Sequence, residues 1–279
     1  MSSFPDANRV AGGAHANESL THLNLINREV GIRGLRLATG KRINSAQEDS
    51  AGFVIGRALQ ARSRGLAMAL NNIGDARSML SVAEGGFENI LDILETMKEK
   101  ATRAASGTLG DEGREALKND LHALAGEIDD IVAETTFNGL SLLSGTSLNI
   151  QTGAETTDSL AVEVSATSQE AADLGVSAND LDVSSSNSAA SSLSSIDSAL
   201  ASVRSSVASV GSNLTRLSSK ESTLVSTLTN SEAARSRIID ANFAREQLEF
   251  SKNRIKQDAA SAALAQSNAS DQAVLALVG

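Results

Sequence analysis

The chain has 279 residues and a net charge of −10, from 34 acidic and 24 basic side chains. Binding to nucleic acid or to an anionic membrane surface requires a concentrated basic face, so this charge balance disfavours both kinds of partner. Aromatic residues make up 2% of the chain, there is one proline and there is no cysteine; this composition disfavours a large compact core and excludes disulfides, thiolate metal sites and cysteine catalysis.

The N-terminal region predicts a helix that is weak on its own. Residues 1–19 are small and polar and show no apolar period, so we predict that they are mobile in the unassembled protein. A sparse stripe at helical spacing follows, formed by Leu20, Leu23, Ile26, Val30 and Leu37. Because Gly31 and Gly34 lower the helix propensity of this segment, we predict that it depends on contacts with other helices.

A much stronger heptad pattern begins after Ser45. Large apolar residues recur every seven positions at Leu59, Leu66, Ile73, Leu80, Phe87 and Leu94. An interleaved series is rich in alanine, and the combination of large and small residues lets a second helix approach closely and interlock. The pattern therefore predicts a long helix with one face buried against a partner helix.

The segments that follow predict a shorter helix and then a hairpin. A turn at residues 106–110 precedes a helical pattern over residues 117–131, which ends before the turn sequence Phe137-Asn138-Gly139. The helical period is lost over residues 140–192, where alternating apolar residues predict a β-hairpin. We predict that the serine-rich residues 184–195 form a solvated connection.

A second long heptad segment runs from Leu193 to Ile238. Two apolar seams lie three residues apart, with Leu200, Val207 and Leu214 in one and Leu217 and Leu224 in the other. A continuous helix of about 45 residues is roughly 65 to 70 Å long and cannot bury its stripe against itself. We predict that it packs on the first heptad helix within the same subunit.

The C-terminal segment, residues 241–279, predicts an alanine-rich helix with few large apolar residues. Those residues are Leu248, Ile255, Leu264, Val274, Leu275, Leu277 and Val278. Like the N-terminal helix, this segment is too sparsely apolar to fold alone. We predict that the two terminal helices contact each other and neighbouring copies of the chain, through a heterologous interface that propagates instead of closing.

Four short motifs, in order on this framework, resemble those of bacterial flagellins. The first is a junction motif containing Arg42, Ile43, Asn44 and Ser45, followed by Asp49 and Gly52. The second is Phe137-Asn138-Gly139, and the third contains Arg237, Ile238, Asp240 and Phe243. The fourth is Leu264-Ala265-Gln266 near the C-terminal end. Their order and spacing agree with the family over about residues 20–140 and 190–279.

The resemblance implies a mainly α fold, a long antiparallel coiled-coil bundle with a small β-hairpin. Residues 1–44 and 241–279 would form D0, the inner tube of a filament. Residues 45–139 and 193–240 would form D1, the outer rod, and residues 140–192 would be a short variable middle. The opening residues 1–19 depart from the family's usual start, which leaves their contacts undefined.

The resemblance also implies the function of a structural subunit that self-assembles into the bacterial flagellar filament used for swimming. The first residues lack the layout of a cleaved secretory signal, which by itself is compatible with a cytoplasmic protein or with export by another machine. The resemblance implies export through the flagellar type III apparatus without a cleaved signal, and so an extracellular protein. Partners implied by the family are further copies, an export chaperone, the cap and the hook-junction proteins. An innate-immune receptor recognises many flagellins; at the corresponding positions this chain has Thr96, Lys100 and Asp120, which predicts weak recognition.

Alternative functions remain open at this point. A hook–filament junction protein would share the architecture, and a secreted coiled-coil effector or adaptor would share the heptads. The segment from Gly34 to Arg42 superficially resembles a phosphate loop, but its spacing is wrong and Arg42 stands where a Ser or Thr would bind magnesium. The histidines lack metal-ligand spacing. We therefore predict no catalytic residue, no cofactor, no metal and no membrane span.

Overall fold

The computed structural model describes the backbone of residues 6–165 and 167–278 and the side chains of residues 17–165 and 167–269. The helices are α1 (Asp6–Thr39), α2 (Ser50–Ala104), α3 (Asp111–Glu134), α4 (Ser186–Ile239) and α5 (Phe243–Val278). The strands are β1 (Thr136–Phe137), β2 (Leu140–Ser141), β3 (Ser147–Gln151) and β4 (Ser159–Glu163). The predicted fold class, mainly helical with a small hairpin, is confirmed.

The chain divides into two compact units. The first contains residues up to 61 and residues from 231 onward, and therefore holds α1 and α5. The second contains residues 62–230, with α3 and all four strands. Helices α2 and α4 contribute residues to both units.

The core of the second unit is built from the heptad seams of α2 and α4. On α2, Leu66 is buried, and Ile73, Leu80, Phe87 and Leu94 are completely buried; Leu59, in the first unit, is half-buried. On α4 the large apolar residues Ile196, Val203, Val210 and Leu217 are fully buried, and Leu200 and Leu224 are also buried. Val207 and Leu214 are half-buried, so they lie at the edge of the core and not at its centre.

Helix α3 and the strands cover the remaining face of this core. Arg114 of α3 donates from Nη2 to the carbonyl of Ser106 at 3.0 Å and also contacts the carbonyl of Ala104, which satisfies carbonyl groups at the end of α2. Asn138 and Gly139 adopt positive φ angles of 52° and 80°, as the turn between β1 and β2 requires. Strands β3 and β4 pair antiparallel, which confirms the predicted hairpin.

The structure corrects the predicted boundaries of two helices. Helix α4 begins at Ser186 instead of Leu193, so the serine-rich connection predicted for residues 184–195 is wrong over most of its length. The backbone N–H of Ser188 donates to Oγ of Ser185 at 3.1 Å, which caps the first turn. Ser192 is buried and its Oγ donates to the carbonyl of Asp182 at 2.9 Å, so local capping and tertiary contacts stabilise this start.

Helix α1 begins at Asp6 instead of Leu20. The first part of the chain lacks an apolar period, but Asn8 to Ser19 contains no proline and several alanines, which are the best helix formers. Absence of an apolar stripe is therefore a poor indicator of where this helix begins.

Candidate functional site

The site of interest is the pair of terminal helices and the junction that connects them to α2 and α4. Helices α1 and α5 approach repeatedly to within 8 Å between Cα atoms, which no other pair of helices does in the described part of the chain. Such an approach is close for two helices. Gly34 lies at this contact, and a Cβ there would be at an ordinary van der Waals distance, 3.6 Å, from the ring of Phe250.

The contact between α1 and α5 includes a cluster of charged side chains. Glu246 is buried on α5 and accepts a hydrogen bond from Nη1 of Arg33 at 2.9 Å; its second oxygen lies 3.6 Å from Nη1 of Arg36. Arg36 also pairs with Glu48 at 3.2 Å, which ties the junction to the same cluster. Further along the helices, Nε2 of Gln257 donates to Oδ1 of Asn27 at 2.6 Å.

The ion pair with Glu246 stabilises the charged form of Arg33. The hydrogen bond from Arg33 to Glu246 raises the pKa of Arg33, because it favours the charged guanidinium; burial acts in the opposite direction and is outweighed. The Nε atoms of Arg33 and Arg36 are buried without a hydrogen-bond acceptor in the described residues. The cluster therefore aligns the two helices without saturating every donor.

Helix α5 also carries exposed apolar residues on the side turned away from α1. Glu246, Asn253 and Gln257 share the face toward α1 by their spacing, and the first two are buried. Leu248 and Ile255, seven residues apart, are 64% and 70% exposed. The polar face of this helix is thus covered within the subunit, while its apolar face is open.

The residues predicted to pack between subunits fall into an exposed group and a half-buried group. Leu20, Leu248 and Ile255 are exposed. The residues half-buried on the faces where α1 and α5 pack together are Leu23, Ile26, Val30, Leu37 and Leu264. The side chains of Val274, Leu275, Leu277 and Val278 lie outside the described residues. Sequence reasoning treated these residues as one set, whereas the structure uses part of it inside the subunit.

The junction joins the end of α1 to the end of α4 through the backbone. The N–H of Arg42 donates to the carbonyl of Ile239 at 2.6 Å, and the N–H of Ala241 donates to that of Gly40 at 2.9 Å. Nη2 of Arg42 also donates to the carbonyl of Ile238 at 2.7 Å. Gly40 has a φ of +68°, a conformation that favours glycine at the end of a helix.

The remaining junction residues fix the start of α2. Oδ1 of Asp49 accepts the N–H of Gly52 at 2.8 Å and acts as an N-cap. Ile43 is 2% exposed, and a Cβ on Gly52 would overlap both Ile43 and Asp49, so the motif needs glycine there. Asn44 donates from Nδ2 to the carbonyl of Lys41 at 3.0 Å, and the carbonyl of Ser45 accepts the N–H of Glu48 at 3.2 Å.

The C-terminal motif lies directly opposite the junction motif. Asp240 forms an antiparallel bridge with Lys41, and Ile238 supplies the carbonyl that Arg42 binds. Arg237 is exposed. Phe243 begins α5 and is 63% exposed. The structure therefore brings the two motifs, far apart in sequence, into one site.

Sequence reasoning missed the polar residues that make this site specific. Glu246, Arg33, Arg36 and Glu48 were not predicted, and neither was Ile239, which is 8% exposed and lies against Gly56. The signal available in the sequence was the pair of arginines three residues apart on α1, which share a helix face. Their partner cannot be identified without the pairing of the helices.

The three positions at which the resemblance predicts weak receptor recognition lie on the second unit. Thr96 is exposed on α2, and Nζ of Lys100 pairs with Oδ2 of Asp120 at 2.6 Å. Two of the three positions are therefore occupied by an ion pair within the chain.

Within the described residues, neither a membrane-spanning helix nor a metal-ligand cluster is present. None of the helices there is long and apolar enough to cross a membrane. In the same part of the chain, no group of three His, Asp or Glu side chains is placed to hold a metal ion.

Comparison with known proteins gives consistent matches along the chain. The bacterial flagellin N-terminal helical region matches residues 13–148, and the bacterial flagellin C-terminal helical region matches residues 193–278. Flagellin from Halalkalibacterium halodurans is 32% identical over 261 residues, covering 92% of this chain and 95% of that protein. Flagellin B from Helicobacter pylori is 35% identical over 146 residues, covering 52% of this chain and 28% of that protein.

One solved structure resembles this fold without close sequence similarity. It is that of a putative flagellar hook-associated protein from Vibrio parahaemolyticus, with a TM-score of 0.56 and 16% identity, covering 69% of this chain and 100% of that one. This likeness bears on the fold alone. The two family matches and the relative matched over 95% of its length, together with the four motifs, show that the chain belongs to the bacterial flagellin family and is a structural subunit of the flagellar filament.

Proposed function

We propose that this flagellin polymerises through the outward faces of α1 and α5, with residues 1–44 and 241–279 forming the inner tube and the α2–α4 bundle forming the outer rod. The observation that carries the proposal is the exposure of Leu248 and Ile255, at 64% and 70%, on a helix whose polar face is covered by α1. Exposed apolar residues on one helix face indicate a surface that a partner covers.

The energetics favour burial of this face between copies. Fully burying a Leu or Ile side chain is worth about 1.5 to 3 kcal/mol, and α1 presents Leu25 and Leu35 at 50% and 48% exposure in addition. In a helical array each subunit contributes such a face to more than one neighbour. The interface is heterologous, so each added copy creates the next binding surface.

Assembly is also expected to complete the folding of the terminal helices. Within one subunit, α1 and α5 are joined by a polar cluster and half-buried aliphatic residues, which is a small core for two long helices. Further burial between copies stabilises the pair. The terminal helices thus remain easily opened in the monomer, as export through a narrow type III channel requires.

The remaining partners follow from the same exposed faces. An apolar helix face in a monomer is an aggregation hazard, so we infer that an export chaperone covers it until the subunit leaves the cell. At the distal end a cap protein and at the base the hook-junction proteins would contact the faces that no other flagellin covers. The assembled protein would be extracellular and would serve swimming motility.

Two negative proposals complete this function. The Lys100–Asp120 ion pair occupies positions that the innate-immune receptor reads in many flagellins, so we expect weak recognition by that receptor. We also propose that the chain is not an enzyme and needs no cofactor, since filament assembly requires only complementary surfaces.

A paired substitution tests the proposal. Leu248→Asp with Ile255→Asp should abolish seeded polymerisation, because each filament contact would bury two carboxylates without partners. The matched control, Leu248→Met with Ile255→Val, keeps the face apolar and should polymerise. Filaments from the double aspartate variant at the wild-type critical concentration would refute the proposed interface.

A further inference from the structure

A small pocket lies in the first unit, where the junction meets α2 and the end of α4. Its volume is about 80 Å³, far below the roughly 300 to 1,000 Å³ of sites for small organic ligands. The floor is apolar, formed by Ile43, Phe53 and Ile239. Its rim carries three cations, Lys41, Arg57 and Arg235.

The three rim cations have no acidic partner in the described residues. Arg57 stacks over the ring of Phe53 at 5.3 Å, and this contact leaves its N–H donors free. Lys41 and Arg235 form no ion pair within 4.0 Å among the described side chains. Nearby arginines behave differently: Arg36 pairs with Glu48 and Glu246, and Arg42 binds the carbonyl of Ile238.

None of the acids beside the pocket forms an ion pair with a rim cation in the described residues. Glu48 pairs with Arg36, and the carboxylate of Asp49 caps α2 at Gly52. Asp240 contacts Lys41 through the backbone bridge only. A carboxylate entering from outside would therefore meet three cations without displacing any acid, and it would fit the volume available.

Charge is distributed very unevenly along the chain. Residues 1–61 and 231–279 carry 13 basic and 11 acidic side chains, whereas residues 62–230 carry 11 basic and 23 acidic ones. Several acids of the second unit are exposed without a cation in ion-pair distance in the described residues. Glu127, Asp130 and Glu134, for example, lie along one exposed face of α3. Every copy thus offers surplus carboxylates to a neighbour.

We propose that this pocket binds an Asp or Glu side chain of a neighbouring copy of the chain in the filament. The inference rests on the proposed polymerisation and adds to it a polar contact distinct from the apolar faces of α1 and α5. Arg57 and Arg235 donate charge-assisted hydrogen bonds to the incoming carboxylate, and Lys41 closes the rim. Such contacts favour one register of packing over others, because a displaced neighbour leaves the cations unpaired.

Neutralising the two rim arginines tests whether the pocket contributes to the free energy of polymerisation. Arg57→Gln with Arg235→Gln should raise the critical concentration for seeded polymerisation about tenfold, as expected for loss of charge-assisted hydrogen bonds. Arg64→Gln with Lys220→Gln removes two exposed cations of the second unit, outside the pocket and outside α1 and α5, and should stay within about twofold of wild type. Thermal unfolding of each monomer, followed by circular dichroism, verifies that the fold is intact. Equal critical concentrations for the two double variants would overturn the proposal.

Cross-linking tests the identity of the occupant. A zero-length carbodiimide joins an amine to a carboxylate only when the two are in contact. Filaments grown from mixed ¹⁴N- and ¹⁵N-labelled copies should yield a mixed-isotope peptide linking Lys41 to an Asp or Glu, and monomers should not. Absence of that peptide from filaments in which other lysines are linked would contradict the proposal.

Two other results distinguish failure of this inference from failure of the proposed function. Saturable binding of inorganic phosphate or acetate to the monomer, lost in the Arg57→Gln/Arg235→Gln variant and without effect on polymerisation, would assign the pocket to a soluble anion and overturn this inference alone. Failure of the wild-type protein to polymerise under any condition would instead remove the proposed function, and this inference with it.

Discussion

Replacing Glu246 with alanine should loosen the pairing of α1 and α5 without unfolding the second unit. The Glu246 side chain is 9% exposed and meets Arg33 at 2.9 Å and Arg36 at 3.6 Å, with those arginines 24% and 19% exposed. Removing one partner of a fully buried pair costs about 3 to 5 kcal/mol, whereas an exposed pair is worth about 0 to 1 kcal/mol. The partial exposure of the two arginines places this cluster between these limits, at about 2 kcal/mol.

Hydrogen exchange measures this loss locally. A cost of about 2 kcal/mol corresponds to roughly a thirtyfold increase in the opening equilibrium, so amides of α1 and α5 near the cluster should exchange about thirty times faster. Amides in the seams of α2 and α4 within residues 62–230 should be unchanged, because their core does not include Glu246.

Glu249→Ala is the matched control for this experiment. Glu249 lies one turn away on the same helix, is 33% exposed and sits 3.7 Å from Lys252, so its loss should cost less than about 1 kcal/mol. Exchange rates in α1 and α5 that agree within threefold between the two variants would refute the claim that the buried carboxylate aligns the terminal helices.

Three further predictions concern the packing of the units and the C-terminal end. Ile73→Asp should destabilise the second unit by more than about 4 kcal/mol, because it replaces a fully buried side chain with an unpaired charge. The control Val82→Asp, at a position 42% exposed on the same helix, should leave the melting temperature nearly unchanged. Equal melting curves for the two variants would count against the assigned seam. Gly56→Ala should lower the free energy of unfolding by about 1 to 3 kcal/mol, since its Cβ would overlap the side chain of Ile239. Gly74→Ala places its Cβ in open space and should stabilise α2 by about 0.5 to 1 kcal/mol. A higher melting temperature for Gly56→Ala than for Gly74→Ala would disprove this packing. Deleting residues 264–279 should abolish filament formation, scored by sedimentation, while the far-ultraviolet signal of α2–α4 persists; normal filaments from the shortened chain would show that this end is dispensable.

The parts of the fold that follow from periodic patterns could be predicted from the sequence. Leucines and isoleucines seven residues apart identified the seams of α2 and α4, and alternation around Leu148 and Leu160 identified the hairpin. Asn138-Gly139 marked the turn because few other residue pairs adopt two positive φ angles without strain. In each case the local sequence and the final packing impose the same requirement.

Features that depend on pairing between distant residues could not be predicted. The seam of α4 that is fully buried, the one containing Val210 and Leu217, was not distinguishable from the seam containing Val207 until α2 was in place. The sequence of the first turns of α4 is typical of a polar linker. The hydrogen bond from Ser192 to the carbonyl of Asp182, which stabilises the helix there, has no signature in the sequence pattern. The same holds for Glu246, whose role depends on arginines more than 200 residues away in the chain.

The most direct test of the central claim is electron cryo-microscopy of the purified protein under polymerising conditions. A tubular filament is expected, with Leu248 and Ile255 buried against neighbouring copies and Glu246 still paired with Arg33 inside each subunit. A filament in which those two apolar side chains face solvent, or a protein that stays monomeric at every concentration, would contradict it.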